Sequence, residues 1–453
     1  MTKDLTKGHI TKTLLLYSLP MMGSMIFQQL YNIADSVIVG KLIGEEALAA
    51  VTSSAPITML LVAVATGFSI GSSVIISQQF GAKDMTAMKT SANTALIYAG
   101  GVSIILSIIA LLLCNPLLKL MNTPASIFND SSAFLYINIL GFSSLMLYNT
   151  CNGIFTALGN SKLPFYFLIG SSTLNVVLDL IFVGFFKMGI RGVAMTTVIA
   201  QVLAMTLSLT VLLKKLKEIQ TEHKPALFSK TAVKKLNKIA LPSILQQSFI
   251  AIGNLFVQGE INGYGQAVIA GYGSAVRLNT FAIMSINALA TGVSSFTAQN
   301  YGAKRYDRIE KGYKSGILIV SAVVTPFIIL FLLLGSPLVS VFLKEESLQA
   351  LETGINFLRI VSPFYFIVAV KIISDSLLRG SGNMRSFVIA TFTDLLMRVI
   401  FLYLLSFIFK SADWLWAAWP IGWCVSMVIS LLYAIKQIKY MKFQTDCLSN
   451  QMC

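Results

Sequence analysis

Twelve apolar runs, each near the length that crosses a bilayer, recur along the 453 residues, at roughly 14–38, 52–76, 93–114, 133–156, 163–186, 192–213, 238–261, 278–298, 315–334, 355–378, 386–408 and 414–435. A spanning helix needs about 20 mostly apolar residues. In hydrocarbon every backbone N–H and C=O must be bonded within the protein, which leaves helices or closed barrels. Runs this long and this continuously apolar read as helices. The expected fold class is therefore an all-α membrane protein with twelve transmembrane helices. Composition agrees, because 12% of the residues are charged against about 25% in soluble domains. Residues 1–12 are polar and basic and lead straight into the first run with no cleavage pattern. That run is expected to be a membrane helix and not a removed signal.

The net charge of +15 raises nucleic acid as a partner, but the placement of the charges assigns it to topology. Of the 34 Lys and Arg, 24 fall in the two tails and the alternate loops 77–92, 162, 214–238, 300–314 and 379–385. Seven fall in the intervening loops, Lys344 among them, and three lie inside the runs. Basic residues mark cytoplasmic loops. Both termini are thus expected in the cytoplasm of a multi-pass protein of the cell (inner or plasma) membrane. Anionic lipid is the expected electrostatic contact, and nucleic acid is not a partner. Cys114, Cys151, Cys424, Cys447 and Cys453 show no CxxC spacing, and both histidines, His9 and His223, lie in polar segments. With no histidine and no GxSxG-type nucleophile motif in the runs, neither an enzyme nor a bound cofactor is expected.

The chain repeats itself. Leu19-Pro20 matches Leu241-Pro242, the stretch Gln78–Lys83 matches Gln299–Lys304, and Gly159-Asn160 matches Gly382-Asn383, at offsets of 222, 221 and 223. Each half holds six runs, an even number, so both copies share one orientation and form two bundles related by a pseudo-two-fold along the membrane normal. The expected divisions are an N-lobe over 1–213, a basic cytoplasmic linker over 214–237, a C-lobe over 238–435 and a cytoplasmic tail over 436–453.

An acid at membrane depth costs at least about 2.5 kcal/mol, which makes each one a functional hypothesis. The second half carries Glu260, Asp375 and Asp394 against Arg359, Lys371 and Arg398. Lys371 and Asp375 share a helix face, as do Asp394 and Arg398. Glu260 and Arg359 both lie near the outer surface, at a depth where they could meet. Structural ion pairs account for this half, with a second-lobe site at Glu260, Asp375 and Lys371 as the alternative. The first half carries Asp35 and Asp179 and no embedded base. Such acids hold a proton, bind a cation or face water. By helix rise, Asp35 lies roughly 31 Å and Asp179 roughly 24 Å from the cytoplasmic side. Asn175 is one turn from Asp179, and Thr197 is roughly 8 Å below the outer surface. Oxygen donors of this kind suit a hard cation such as Na+, and paired carboxyls share a proton readily. A purely structural hydrogen-bond cluster is the alternative. Pro20, which removes a helical hydrogen bond, is either a fixed bend or a hinge answering to Asp35.

Two six-helix repeats, Leu19-Pro20, the stretch Tyr31–Asp35, the loop Phe80–Lys83 and its copy Tyr301–Lys304 together resemble the multidrug and toxic compound extrusion (MATE) family over nearly the whole chain. The resemblance implies a two-lobed antiporter, expected as a monomer, that exports small organic, often cationic, compounds in exchange for Na+ or H+. Its N-lobe cation site maps onto Asp35, Asn175, Asp179 and Thr197, the metal site if Na+ is the coupling ion. Branches with a C-lobe site would use Glu260 and Asp375, but Lys371 stands here where those branches have a tyrosine. A lipid-linked precursor flippase of the wider superfamily is the rival reading. It would favour a cavity lined with bases, which the first half lacks.

Overall fold

The computed structural model describes residues 3–343 and 347–450. Lys344 and Cys453 lie outside them, as does the side chain of Cys447. The first half contains α1 (Ile10–Leu42), α2 (Glu45–Gly81), α3 (Met85–Leu120), α4 (Ala125–Ala157), α5 (Lys162–Asp179) and α6 (Gly189–Glu218). The second contains α7 (Lys230–Asn262), α8 (Gln266–Gly302), α9 (Tyr306–Leu333), the short α10 (Gly335–Ser340), α11 (Leu348–Val361), α12 (Tyr365–Gly380), α13 (Met384–Phe409), α14 (Ala412–Leu415) and α15 (Ala418–Asn450). Among the described residues there is no strand, and 12 helical stretches are long and apolar enough to cross a membrane. Outward-facing apolar side chains, such as Leu112, Phe185 and Phe407 at 74%, 79% and 80% exposure, suit lipid contact.

Two spans are irregular. Pro363 sits in a 3-10 turn, Ser362–Phe364, that separates α11 from α12, where a proline removes the helical hydrogen bond. A π-helical turn, Leu180–Phe185, follows Asp179 directly; such turns are frequent at functional sites. The segment expected as linker is about half helical, because α6 runs to Glu218 and α7 starts at Lys230, leaving 219–229 between them. The expected tail continues as helix to Asn450.

The repeat is built into the backbone. Left-handed residues recur at the repeat spacing: Lys83 and Lys304 at φ 61° and 55°, Gly159 and Gly382 at 77° and 81°, Lys187 and Lys410 at 52° and 49°. Equivalent asparagines end the same turns, Asn160 Oδ1 accepting from Leu163 N–H at 3.2 Å and Asn383 Oδ1 from Ser386 N–H at 3.3 Å.

The packing boundary does not fall in the linker. Unit 1 comprises Lys3 and Gly23–Ala251, and unit 2 comprises Asp4–Met22 and everything from Ile252 onward. The first half of each repeat's first helix thus packs with the other repeat. For α1 the change falls two residues after Pro20. Glycines make these crossings close. In unit 1 a Cβ on Gly67 would stand 2.5 Å from Ile244 Cα, and one on Gly71 2.6 Å from Ala240 Cα. In unit 2 the residue equivalent to Gly71 is Gly292, whose Cβ would run into Ser18 Oγ. Gly71→Leu should destabilise the protein by about 1–3 kcal/mol, the usual cost of overpacking. This would appear as a lower unfolding midpoint in detergent, whereas Gly100→Leu, which meets nothing within 4 Å, should not lower it.

Candidate cation-coupling site

Unit 1 gathers α1, α5 and α6 around two carboxyls. Tyr31 and Asp35 are one turn apart on α1, so both face the same side. Asn175 and Asp179 are likewise one turn apart at the end of α5, both buried at 2% and 1% exposure. The Asp35 carboxyl lies within hydrogen-bonding reach of Asp179. Tyr31 donates its hydroxyl to Asn175 Oδ1. Thr196, fully buried on α6, donates to Asp179 Oδ1. Below this, Val183 of the π turn packs with Ala47, Val193 and Ala194. That contact sets the rotation of α6.

Of the residues read from the sequence, Asp35, Asn175 and Asp179 are brought together. Thr197 is not bonded to them: both threonine hydroxyls reach Val193 O of their own helix, at 2.8 Å for Thr196 and 2.9 Å for Thr197, and the Thr196 hydroxyl also reaches Asp179. Its neighbour Thr196 makes the contact. Tyr31 was also not singled out, although its i,i+4 spacing to Asp35 signals a shared face. Gln29 and Asn32 bond to each other, Asn32 Nδ2 donating to Gln29 Oε1 at 3.2 Å.

Asp35 Oδ1, Asp179 Oδ2 and Asn175 Nδ2 are buried and have no hydrogen-bond partner among the described residues. No Lys or Arg among them forms an ion pair with either carboxyl. Two carboxyls in contact and without a base can share a proton or a cation. Asp35, Asp179 and the Asn175 carboxamide are oxygen donors suited to a hard monovalent ion. No cluster of three His, Cys, Asp or Glu side chains suited to a metal ion occurs among the described residues, which separates this set from a transition-metal site.

Unit 2 differs. The two expected i,i+4 pairs are one network. Lys371 Nζ lies 3.1 Å from Asp375 Oδ2 and 3.3 Å from Asp394 Oδ2, and Arg398 Nη2 lies 3.6 Å from the same Asp394 oxygen. Ser430 on α15 donates to Asp375 Oδ1 at 2.7 Å. Glu260 does not pair with Arg359. It accepts from Ser406, which lies 2.7 Å from the Tyr264 hydroxyl, and Arg359 is exposed. The helical face of α11 that packs inward is set by Phe357, Leu358 and Val361, each 0% exposed, and this turns Arg359 outward.

Twelve spanning stretches in two copies of one fold, with a base-free carboxyl pair in one copy, define a polytopic helical transporter. A family model described as MatE matches residues 20–181 and 239–404, and the chain belongs to that family. It is similar to the probable multidrug resistance protein YpnP of Bacillus subtilis (strain 168), with 28% identity over 387 residues, 84% of this chain and 85% of that one. A crystal structure of MATE in complex with MaL6 matches with a TM-score of 0.92 at 25% identity, covering 98% of this chain and 100% of that one. The outward-facing conformation of a multidrug resistance MATE family transporter of the MOP superfamily matches with a TM-score of 0.91 at 25% identity, covering 97% and 98%.

Removing Lys371 strands the buried Asp375 carboxylate and leaves Asp394 only its 3.6 Å contact with Arg398. Lys371→Ala should cost about 3–5 kcal/mol, as expected for a broken buried pair. Lys371→Ala/Asp375→Asn should recover part of that loss, read as the unfolding midpoint in detergent.

Proposed function

We propose that this protein is a secondary active efflux transporter of the cell membrane, exporting small organic, often cationic, compounds in exchange for Na+ or H+. The observation that carries the reading is the contact between Asp35 and Asp179, buried with no base beside it. Such a pair is poorly satisfied unless a proton or a cation joins it. Loading it draws α1 toward α5. Withdrawal of the ion leaves two carboxylates that repel.

Tyr31 holds the Asn175 carboxamide by its oxygen, and the Asn175 amide nitrogen is left without a hydrogen-bond partner among the described residues. Thr196 holds Asp179. The change of packing partner just after Pro20 supports a hinge there, so that a shift at Asp35 is felt along α1. The similarity to proteins named for multidrug resistance supports the substrate class.

The test is efflux of a lipophilic cationic dye from vesicles under separately imposed sodium and pH gradients. One gradient should drive export and its collapse should stop it. Asp35→Asn should cut gradient-driven efflux to less than about a tenth, equivalent to 1.4 kcal/mol or more, with membrane insertion unchanged. Normal efflux in that variant overturns the reading.

The threonines separate by the same assay. Thr196→Val removes a hydrogen bond to a carboxylate and should shift the half-maximal ion concentration about tenfold, given the strength of such bonds. Thr197→Val should leave it in place.

A further inference from the structure

The two repeats treat the segment leading into their first helix differently. In unit 2, Leu5–Gly8 lies in a socket made by the end of α8 and the start of α9. Leu5 is 0% exposed. Its N–H donates to Gln299 Oε1 at 2.9 Å, and its carbonyl accepts from Asn300 Nδ2 at 3.3 Å. Arg305 Nη1 donates to Thr6 O at 2.8 Å, and Arg308 donates to Gly8 O and Lys7 O at 3.0 and 3.2 Å.

The repeat register places Leu227 at the position of Leu5. It places Gln79, Asp84 and Ala87 at those of Asn300, Arg305 and Arg308. Leu227 is 74% exposed and Phe228 47%. At Ser229, the end of this segment, unit 1 holds a half-open cavity of 690 Å³ whose lining mixes Ala82, Met85 and Ala87 with Gln79, Glu222 and His223. Gln79 Oε1 is buried there without a protein partner. The chain on either side is already moored, Ala226 N–H to Thr90 Oγ1 and Ser229 N–H to Thr94 Oγ1, both at 3.1 Å.

We propose that Ala226–Ser229 is a strap and that this cavity is its socket. Leu227 enters the space beside Ala82, Met85 and Ala87, and its N–H is received by Gln79 Oε1, as the Leu5 N–H is received by Gln299 Oε1. The guanidinium bonds that hold the other strap have no counterpart, because Asp84 caps its own helix at Ala87 N, 2.8 Å away, and Ala87 has no donor to offer. Burial of one leucine is set against those missing charge-assisted bonds. The strap is therefore balanced between an outer and a docked position. Docking fixes the first turn of α7 in unit 1, so the strap sets how freely that helix moves.

The test uses the full-length chain in vesicles, with the native cysteines replaced by serine and one cysteine at Leu227→Cys or at Lys224→Cys. Addition of Ala87→Arg supplies the missing arm. It should slow maleimide labelling at position 227 about tenfold, the scale of a charge-assisted hydrogen bond, and leave position 224 unchanged. Equal labelling at 227 with and without Ala87→Arg overturns the proposal, as does slow labelling at 227 that insertion into lipid alone explains and Ala87→Arg does not alter. If Ala87→Arg fails to fold, Gln79→Ala should speed labelling at 227 about threefold by removing a single neutral hydrogen bond. No change there overturns the proposal.

Discussion

The crossing of α7 over α2 at Gly67 and Gly71, with its counterpart at Gly292, is the constraint on which the rest of the molecule depends. Between helices in lipid there is no hydrophobic drive, and association rests on close packing of small residues. The glycines let backbones touch: the would-be Cβ of Gly67 is 2.5 Å from Ile244 Cα. This seating keeps the first half of α7 in unit 1 and the first half of α1 in unit 2. The later half of α1 is then free to pack with α5 and α6. Tyr31 and Asp35 stand on that later half, so the carboxyl pair is a product of the exchange.

The scaffold is duplicated but its chemistry is not. Lys371, Asp375 and Asp394 occupy the repeat positions of Tyr148, Asn152 and Ser171, which gather as neutral groups in unit 1. Conversely, the positions of Asp35 and Asp179 hold Val257 and Leu402 in unit 2, and that of Asn175 holds Arg398. Each copy thus places its paired aspartates at a different point on the same framework. Unit 2 satisfies Asp375 and Asp394 with the cations of Lys371 and Arg398, whereas unit 1 leaves Asp35 and Asp179 without one.

Much of this was legible in the sequence, for reasons that also explain the misses. Helix rise is constant, so counting residues from the loops placed Asp35, Asn175 and Asp179 at compatible depths. Rotation about the helix axis is not constant information of that kind. Thr196 and Thr197 differ little in depth, but adjacent helical residues point about 100° apart. The packing of Val193 and Ala194 decides which one meets Asp179. The same limit undid the pairing of Glu260 with Arg359, which depth allows and the buried face of α11 forbids. The unit boundary was missed because Lys-rich composition marks where the chain leaves the membrane, not where packing changes hands. The long polar run 214–238 drew the division away from Met22 and Ala251.

The alternating chain Asp375, Lys371, Asp394, Arg398 has a further consequence. Its formal charges sum to zero, so a membrane potential exerts no net force on it. A lone unit charge would feel about 2.3 kcal/mol per 100 mV. The field therefore does no net work on this network, whereas any net charge on the Asp35 and Asp179 carboxyls of unit 1 would feel it.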